Sequence, residues 1–327
     1  MKRIVSGLLA LAGLVGMTSM PQQVAAQADY PSRNITIVCT FPAGTGADIY
    51  VRYFAEKLQQ KLGKTVIVEN KGGAQGNIGT EFAARQKPDG YTILIAPGSS
   101  TMAAAQSTFK KLPFDPDKDF APVTTLVRLG FVIVVAADSP HKTLADLTES
   151  LKKKGDKGRY GSGSNTGLVQ GELYKKAYGL QTKVVNYTGA MEGLNDLLGG
   201  QLEFYSMDTA FAQGQIAAGK IRALSQSTSY RATGYESVPT MKELAVPGFD
   251  RLEPWWAAYV PAGTPKPIID KLEAWLNEIV KMPETKAFYN KLGGDPYPGD
   301  RNLLAKIQKE DTAAWREYVK LAGIPPT

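Results

Sequence analysis

The stretch NITIVCTFPAGTGADIYVRYFAEKLQQKLG, residues 34–63, decides the fold class of this chain. It opens with a mostly apolar run, typical of a buried strand, which ends at Pro42. After a loop of small residues, apolar side chains recur at helical spacing, at Ile49, Tyr53, Phe54, Leu58 and Leu62. Gly63 then marks the end of the helix. The pattern predicts a strand, a loop and a helix in succession, which is the repeating unit of an α/β sheet.

The same alternation continues along the chain. A second strand is predicted at 65–69, a second helix at 78–86 and a third strand at 91–96. Together they indicate a parallel sheet covered by helices on both faces. The alternation restarts after residue 122, with further strands at 131–137, 159–162, 182–187, 201–207 and 222–227. This second set predicts a second lobe of similar class.

The residues from Trp255 onward predict one strand and three helices, too few for a third independent core. We expect them to return to the first lobe. A chain of about 300 residues is more than one core comfortably holds. The predicted fold is therefore α/β, with two doubly wound lobes joined by a hinge of two crossovers. The predicted domains are a signal peptide at 1–28, a first lobe at 29–130 and 255–327, and a second lobe at 131–254.

The N-terminus has the order of a cleavable signal peptide. Lys2 and Arg3 precede the uncharged apolar run 4–17, and Ala26-Gln27-Ala28 follows it. We expect export and cleavage before Asp29. The alternative is a retained membrane anchor, but the run is shorter than the roughly 20 residues of a spanning helix. No later stretch is long and apolar enough to cross a bilayer, which excludes a permease.

Charge and cysteine content narrow the choice of partners. The chain has 38 Lys and Arg against 31 Asp and Glu, and loss of residues 1–28 would leave a net charge of +5, which favours anions. The basic residues are interspersed with acidic ones, so nucleic acid is not an expected partner. The single cysteine, Cys39, excludes an intramolecular disulfide. It is interpreted as a buried core residue, with a reactive thiol as the alternative.

The sequence contains few of the features that mark an enzyme. The one histidine, His141, would have to carry any histidine-based triad or metal site alone. Residues 161–165, GSGSN, lack the last glycine of a nucleophile elbow, and no phosphate-binding loop motif occurs. We expect no enzyme activity, no cofactor and no metal. A pair of catalytic carboxylates is the alternative left open.

Three loops of small residues lie where predicted strands end and helices begin: 41–48, 72–79 and 163–166. Open α/β sheets bind ligands outside the carboxyl ends of their strands, and the unpaired N–H groups at a helix start attract anions. The loops therefore predict capture of a carboxylate by backbone donors, unless their glycines serve only tight turns. Asp48 is interpreted as a helix-start cap, or else as a site residue that orients its loop or accepts a proton from bound water.

An ordered series of short motifs runs along the whole mature chain. It comprises Phe41-Pro42-Ala43-Gly44 with Asp48, Val68-Glu69-Asn70, Gly73-Ala74, Gly76-Asn77-Ile78-Gly79, Pro88-Asp89-Gly90-Tyr91-Thr92, Asp119-Phe120-Ala121-Pro122-Val123, Lys142-Thr143-Leu144, Leu198-Gly199-Gly200-Gln201, Val238-Pro239-Thr240-Met241 and Pro261-Ala262-Gly263-Thr264-Pro265. At these motifs the chain resembles the Bug-type periplasmic solute-binding proteins of the tripartite tricarboxylate transporter family.

The resemblance implies the type II periplasmic-binding-protein fold and delivery of the ligand to a separately encoded two-subunit permease. It also implies that the first lobe holds the ligand carboxylate through Ala43, Gly44, Thr45, Gly46, Gly76, Asn77, Ile78, Gly98 and Ser99. We expect the second lobe to contact the rest of the ligand through Ser164, Asn165, Thr166, Asn186, Tyr187 and Asp208. Trp255 is predicted to form a wall, with hinge or core packing as the alternative.

The chain departs from the family pattern in four places, one of which is a slightly shorter loop after Tyr160. Thr45 replaces a frequent second glycine, and Thr188 replaces a usual lysine. A frequent aspartate aligns with Met207, while Asp208 lies one residue later. The resemblance therefore leaves the ligand open among citrate-like acids, dicarboxylates, aromatic carboxylates and acidic amino acids.

The expected function is that of a monomeric periplasmic protein that captures a small carboxylate and performs no chemistry on it. The first alternative is a sensor that presents the same ligand to a membrane histidine kinase. The second is a hydrolase built on the same fold.

Overall fold

The computed structural model describes residues 29–247, 249 and 252–327. The predicted signal peptide lies outside these residues. The chain first forms β1 (Ile35–Cys39), α1 (Gly46–Leu62), β2 (Val66–Asn70), α2 (Asn77–Ala84), β3 (Thr92–Ala96), a π-helical turn (Ser99–Ala104), α3 (Ala105–Thr108) and β4 (Phe120–Leu129). The middle contains β5 (Phe131–Ala136), α4 (Leu144–Lys154), β6 (Arg159–Ser162), α5 (Asn165–Tyr178), β7 (Lys183–Asn186), α6 (Ala190–Leu198), β8 (Phe204–Asp208), α7 (Thr209–Ala217) and β9 (Ile221–Gln226). The last part contains β10 (Trp255–Pro261), α8 (Lys266–Lys281), α9 (Pro283–Asn290), β11 (Gly294–Pro296) and α10 (Arg301–Ala322).

The strands form two sheets. The first has the order β11-β4-β10-β3-β1-β2, and the second has the order β7-β6-β8-β5-β9. β1 is parallel to β2 and β3, as the sequence predicts, and β6 is parallel to β7 and β8. By contrast, β10 is antiparallel to β3 and β4, and β5 is antiparallel to β8 and β9. Antiparallel pairing occurs at the strands that pass directly between the sheets, where the chain needs no helical return.

Two crossovers connect the sheets. β4 continues into β5 through Gly130 alone, and Pro254 leads the returning chain into β10. The Leu129 N–H donates to the Pro254 carbonyl over 2.8 Å, so the two crossovers lie side by side. The predicted fold of two α/β lobes joined by two crossovers is confirmed. The exact domain limits stay a prediction.

Local signals in the sequence are also confirmed. Thr143 and Asp146 form a capping box at the start of α4, and Gly63 ends α1 in a left-handed conformation with φ of 62°. Cys39 is fully buried in the core of the first sheet. Within the described part of the chain, no helix is long and apolar enough to cross a membrane.

The last helix packs on both lobes. Leu304, near its start, belongs to an apolar cluster with Phe120 of the first sheet. Trp315, near its end, belongs to a cluster with Leu173 and Phe204 of the second lobe. The sequence pattern predicts that the whole helix lies on the first lobe. Its 22 residues extend over about 33 Å, which lets its C-terminal half reach the second core.

Candidate functional site

A cavity of about 90 Å³ lies between the two sheets. Its walls come from loops that follow β1, β3, β6 and β7, and from the end of β8. Residues at the crossovers, including Leu129 and Trp256, complete it. The position agrees with the rule that α/β sheets bind ligands at the carboxyl ends of their strands.

Thr45 and Gly46 bring the start of α1 to the cavity. Thr45 is the N-cap of this helix, since its Oγ1 accepts a hydrogen bond from the Asp48 N–H over 3.4 Å. The same hydroxyl donates to the Pro42 carbonyl over 2.7 Å, which closes the loop. Gly46 and Ala47 follow in the first helical turn, where backbone N–H groups have no preceding carbonyl within the helix. The first lobe thus presents backbone donors to the cavity.

Asp48 orients this loop instead of capping the helix. Its carboxylate accepts hydrogen bonds from the Gly44 N–H, from Arg52 Nε and from Asn70 Nδ2, each over 2.9 Å. Burial alone would raise the pKa of Asp48, but the bonds from Arg52, Gly44 and Asn70 outweigh it and hold the pKa below its usual value. The cap interpretation of Asp48 is therefore wrong, because Thr45 already occupies the N-cap position.

Ser99 contributes a hydroxyl to the first-lobe wall. It follows β3 and is only 3% exposed. Its Oγ has no hydrogen-bond partner within the protein. Tyr50 Oη, in another side chain that lines the cavity, is likewise buried without a protein partner. Buried hydroxyls are normally satisfied, so each is a candidate donor to a ligand or to water.

The second lobe contributes two small-residue loops. Gly163, Ser164 and Thr166 lie at the start of α5, where the Ser164 hydroxyl caps the helix by accepting from the Gly167 N–H over 3.2 Å. The other loop, 188–190, leads into α6. Both loops face the first lobe across the cavity, as the sequence predicts for the first of them.

Asp208 is the one carboxylate among the described residues that line the cavity. It caps α7, with its Oδ1 accepting from the Phe211 N–H over 2.9 Å. A Cβ atom built on Gly46 would lie 2.9 Å from the same oxygen, so the lobes touch at this point. Burial raises the pKa of Asp208, although the N–H groups at the start of α7 partly offset the effect.

Most of the remaining wall is apolar. Aromatic and aliphatic side chains lie at the crossovers and on both lobes: Phe41, Tyr50, Leu129, Phe131, Tyr205, Met207 and Trp256. No lysine, arginine or histidine of the described residues lines the cavity. Within the described ranges, no group of three or more His, Cys, Asp or Glu is arranged to hold a metal ion.

The structure brings six of the predicted ligand contacts to the cavity wall: Thr45, Gly46, Ser99, Ser164, Thr166 and Asp208. Ten others lie outside it: Ala43, Gly44, Gly76, Asn77, Ile78, Gly98, Asn165, Asn186, Tyr187 and Trp255. Each of these sixteen assignments as a ligand contact stays a prediction. Several of the ten have other partners that explain their position.

Two predicted contacts from the second lobe bind protein atoms instead. Asn165 donates from Nδ2 to Thr108 Oγ1 of the first lobe over 3.3 Å. The Tyr187 hydroxyl donates to Asp196 over 2.6 Å. In the first lobe, Gly76 supports its loop, since a Cβ at this position would lie 2.6 Å from Thr101 Cγ2.

Trp256, and not Trp255, lines the cavity. Neighbouring residues of a strand point to opposite faces, so only one of the pair reaches the cleft. Trp255 turns away, and its ring covers Gly98. Its Nε1–H donates to Asp311 of α10 over 3.0 Å. Trp256, Phe131 and Met207 line the cavity but are not predicted from the sequence, because only the strand register decides which of two neighbouring residues faces the cleft.

Comparisons with known proteins agree on one family. Residues 50–324 match the family described as the tripartite tricarboxylate transporter family receptor. A UPF0065 protein of Cupriavidus necator is 32% identical over 324 residues, which cover 98% of this chain and 96% of that protein. The periplasmic binding protein BugD is similar in structure, with a TM-score of 0.84 and 32% identity over 91% of this chain and 100% of that one. Rpa4515 of R. palustris, solved with adipate, has a TM-score of 0.87 and 27% identity over 91% of this chain and 100% of that one.

Proposed function

Because this chain belongs to the tripartite tricarboxylate transporter family of receptors, we propose that it captures a small organic carboxylate and delivers it to a separately encoded two-subunit permease. The observation that carries the proposal is Ser99 Oγ, a buried hydroxyl without a protein partner in the wall of a cavity between two lobes. A ligand carboxylate would accept its hydrogen bond. The adipate in the related Rpa4515 structure supports a carboxylate in this role.

The first lobe would hold the carboxylate without a side-chain cation. Gly46 and Ala47 offer N–H groups at the positive end of α1, and Ser99 offers its hydroxyl. Hydrogen bonds to a charged group contribute about 1.5–3 kcal/mol each, and a helix terminus about 0.3–1 kcal/mol. Several such donors together are sufficient for one carboxylate. The loop residues 43–44 and 76–78 would support this arrangement from behind the wall.

The two lobes would close on the ligand about the crossovers at Gly130 and Pro254. We propose a first lobe at 29–130 and 255–327 and a second lobe at 131–254. Helix α10 contributes to the cores of both, so closure would have to shift the packing of its C-terminal half. The ligand would be bound and released unchanged, because the wall offers one carboxylate, Asp208, with no histidine or second acid beside it among the described residues.

The protein would act in the periplasm as a monomer. The basic, apolar and A-x-A order of residues 1–28 predicts export, and the periplasmic origin of BugD supports it. N-terminal sequencing of protein from the cell envelope should therefore begin at Asp29. Recovery of exported protein that still carries Met1 would contradict cleavage.

A thermal-shift screen of carboxylates tests the function. A ligand at 100 times its Kd stabilises the fold by about 2.7 kcal/mol, which raises the melting temperature measurably. At least one small carboxylate should do so, while the corresponding primary amides should not. A panel of mono-, di- and tricarboxylates without any effect would rule the proposal out.

Two serine variants locate the binding site. Ser99→Ala removes a donor from the cavity wall and should weaken binding about tenfold or more in calorimetric titration. Ser107→Ala is the matched control, since Ser107 Oγ is also buried without a protein partner but lies outside the cavity. Equal effects of the two substitutions would contradict a role for Ser99 in binding.

A further inference from the structure

We infer that Asp208 takes up one proton when the ligand binds and holds it between its own carboxyl group and that of the ligand. The inference rests on the proposed capture of a carboxylate at the start of α1. The proton comes from the solvent, bonds to one carboxylate oxygen of Asp208 and leaves again when the ligand is released. The site therefore takes a carboxylate together with a proton, and not the anion alone.

Asp208 lies directly against the proposed carboxylate anchor. A Cβ atom built on Gly46 would lie 2.9 Å from Asp208 Oδ1 and 3.5 Å from Ala210 Cβ, so the start of α7 packs on the first turn of α1. The anchor residues Gly46 and Ala47 line the same cavity as Asp208. A ligand carboxylate that accepts from the N–H groups of Gly46 and Ala47 would therefore lie close to the carboxyl group of Asp208.

Asp208 and a ligand carboxylate would share a site that has no cation. No lysine, arginine or histidine of the described residues lines the cavity. The titratable groups that face Asp208 are phenols: Tyr50 of α1, Tyr205 of β8 and Tyr235 of the segment that follows β9. Burial raises the pKa of each phenol, so all three are neutral. Asp295, which also interacts with Tyr50, is a further carboxylate.

Two carboxyl groups in such a site share one proton. Like charges close together in a partly enclosed cavity disfavour ionisation of both groups, so one of them keeps a proton well above the usual pKa of a carboxylic acid. The available donors decide which group stays ionised. The ligand carboxylate would accept from N–H groups at the start of α1 and from the hydroxyl of Ser99.

The carboxyl group of Asp208 is the better place for the shared proton. Burial raises its pKa even without a ligand, and the N–H groups at the start of α7 offset this effect only in part. Its protonated oxygen can donate a hydrogen bond to the ligand carboxylate. This bond replaces the repulsion that an ionised Asp208 would exert at the anchor.

The direction of the pH dependence follows from this arrangement. A bound carboxylate raises the pKa of Asp208, so the protonated protein binds the ligand more tightly than the ionised protein does. Below the Asp208 pKa of the free protein, affinity is independent of pH. Above it, each pH unit weakens binding about tenfold, until Asp208 ionises in the complex as well. A ligand cation beside Asp208 would produce the opposite dependence, because it stabilises the ionised form.

Calorimetric titration with hexanoate and benzoate from about pH 6.5 to about pH 8.5 tests the inference. Both acids are ionised over this range, since carboxylic acids lose their proton near about pH 4–5. The Kd of the unsubstituted protein should increase about tenfold or more across the range. Titration at about pH 8 in buffers of different ionisation enthalpy counts the protons, and the count should approach about one per ligand.

Asp208→Asn removes the titrating group and keeps its shape. The amide stays neutral, can donate an N–H to the ligand, and caps α7 as well as aspartate does. Its Kd for both acids should change by less than about twofold across the range, with almost no proton uptake, and at about pH 8.5 it should bind about tenfold more tightly than the unsubstituted protein. Asp196→Asn is the matched control, since Asp196 is a carboxylate of the same lobe that accepts from Tyr187 and lies outside the cavity. It should retain the proton uptake of the unsubstituted protein.

The outcomes separate this inference from the proposed function. A constant Kd without proton uptake in the unsubstituted protein would overturn the inference and leave carboxylate capture intact. Proton uptake that persists in Asp208→Asn would assign the proton to another group, such as Asp311 of α10. Tighter binding of 2-aminohexanoate than of hexanoate, increasing with pH, would place a ligand cation beside Asp208 in place of the proton. Failure of every carboxylate in the thermal-shift screen would instead reject the proposed function itself.

Discussion

The Trp255 indole Nε1–H donates a hydrogen bond of 3.0 Å to the carboxyl group of Asp311. This bond joins the strand that returns from the second lobe to helix α10, which packs on both lobes. Asp311 is half-buried, and its partial burial raises its pKa to about 7, although hydrogen bonds from Trp255 and Trp315 act in the opposite direction. A carboxyl group with this pKa holds its proton over a pH range in which the unfolded chain has lost it.

The raised Asp311 pKa predicts that the contribution of this residue to stability falls as the pH rises from about 4 to about 7. In this range the folded chain binds a proton at Asp311 that the unfolded chain releases, so each pH unit costs about 1.4 kcal/mol, or on the order of 4 kcal/mol in total. Asp311→Asn removes the contribution. As the pH rises to about 7, the free energy of unfolding of the variant should therefore increase relative to that of the unsubstituted protein. Urea unfolding at several pH values measures it, and two parallel stability curves would contradict the prediction.

Gly98→Ala should destabilise the protein by about 3 kcal/mol or more. A Cβ atom on Gly98 would lie 1.9 Å from Cζ3 of Trp255, and the buried ring is held in place by its bond to Asp311. The backbone at Gly98 is right-handed, with φ of −57°, so the cost is steric and not conformational. Denaturant unfolding measures the loss.

Gly189→Ala is the matched control for Gly98→Ala. Gly189 also has ordinary backbone angles, with φ of −143°, and nothing lies within 4 Å of an added Cβ. Its substitution should change the free energy of unfolding by less than about 0.5 kcal/mol. Similar losses for the two variants would show that the contact with Trp255 is not the cause.

Asp48→Ala should cost about 2–4 kcal/mol of stability, because it removes a buried carboxylate that accepts hydrogen bonds from Gly44, Arg52 and Asn70. It should also weaken ligand binding, since these bonds orient the loop that leads into the cavity. Glu149→Ala breaks an exposed ion pair with Lys152 and should change stability by less than about 0.5 kcal/mol. Urea unfolding and calorimetry of both variants provide the comparison. Unchanged ligand affinity in Asp48→Ala would reject the orienting role.

Signals that depend on a few neighbouring residues could be predicted from the sequence. The capping box of Thr143 and Asp146, the helix end at Gly63 and the first parallel strands all depend on local chemistry, and the structure has each of them. The loops that face the cleft were predictable for a related reason, since the carboxyl ends of parallel strands meet at one edge of a sheet.

Features that depend on register or on distant packing could not be predicted in this way. Trp255 and Trp256 are adjacent residues of the same type, and only the pairing of β10 with its neighbours decides which of them faces the cleft. Likewise, the apolar pattern of α10 shows which of its faces is buried but not that this face meets two cores. Asn165 shows the same limit, because its partner Thr108 lies 57 residues away and in the other lobe.

The Asn165–Thr108 hydrogen bond predicts a role in lobe closure. Asn165 lies between two residues of the cavity wall, Ser164 and Thr166, but its amide spans to the first lobe and not to the cavity. Asn165→Ala removes a bond that exists only when the lobes are together, worth about 1 kcal/mol, and so should reduce the closed population and weaken ligand binding by up to about fivefold. X-ray scattering should show a larger radius of gyration without ligand than in the unsubstituted protein.

The pattern across ligands distinguishes a closure contact from a ligand contact. A closure contact changes the population of the closed state, whichever ligand binds. Asn165→Ala should therefore lower the affinities for hexanoate, benzoate and adipate by the same factor. Saturating ligand should restore the radius of gyration of the unsubstituted protein. Asn186→Ala is the matched control, since Asn186 is also a predicted ligand contact of the second lobe but is exposed and lies outside the cavity. It should alter neither affinity nor radius. Loss of affinity for one ligand alone in Asn165→Ala would instead assign Asn165 a direct contact with that ligand, because only a contact specific to the ligand can distinguish one acid from another.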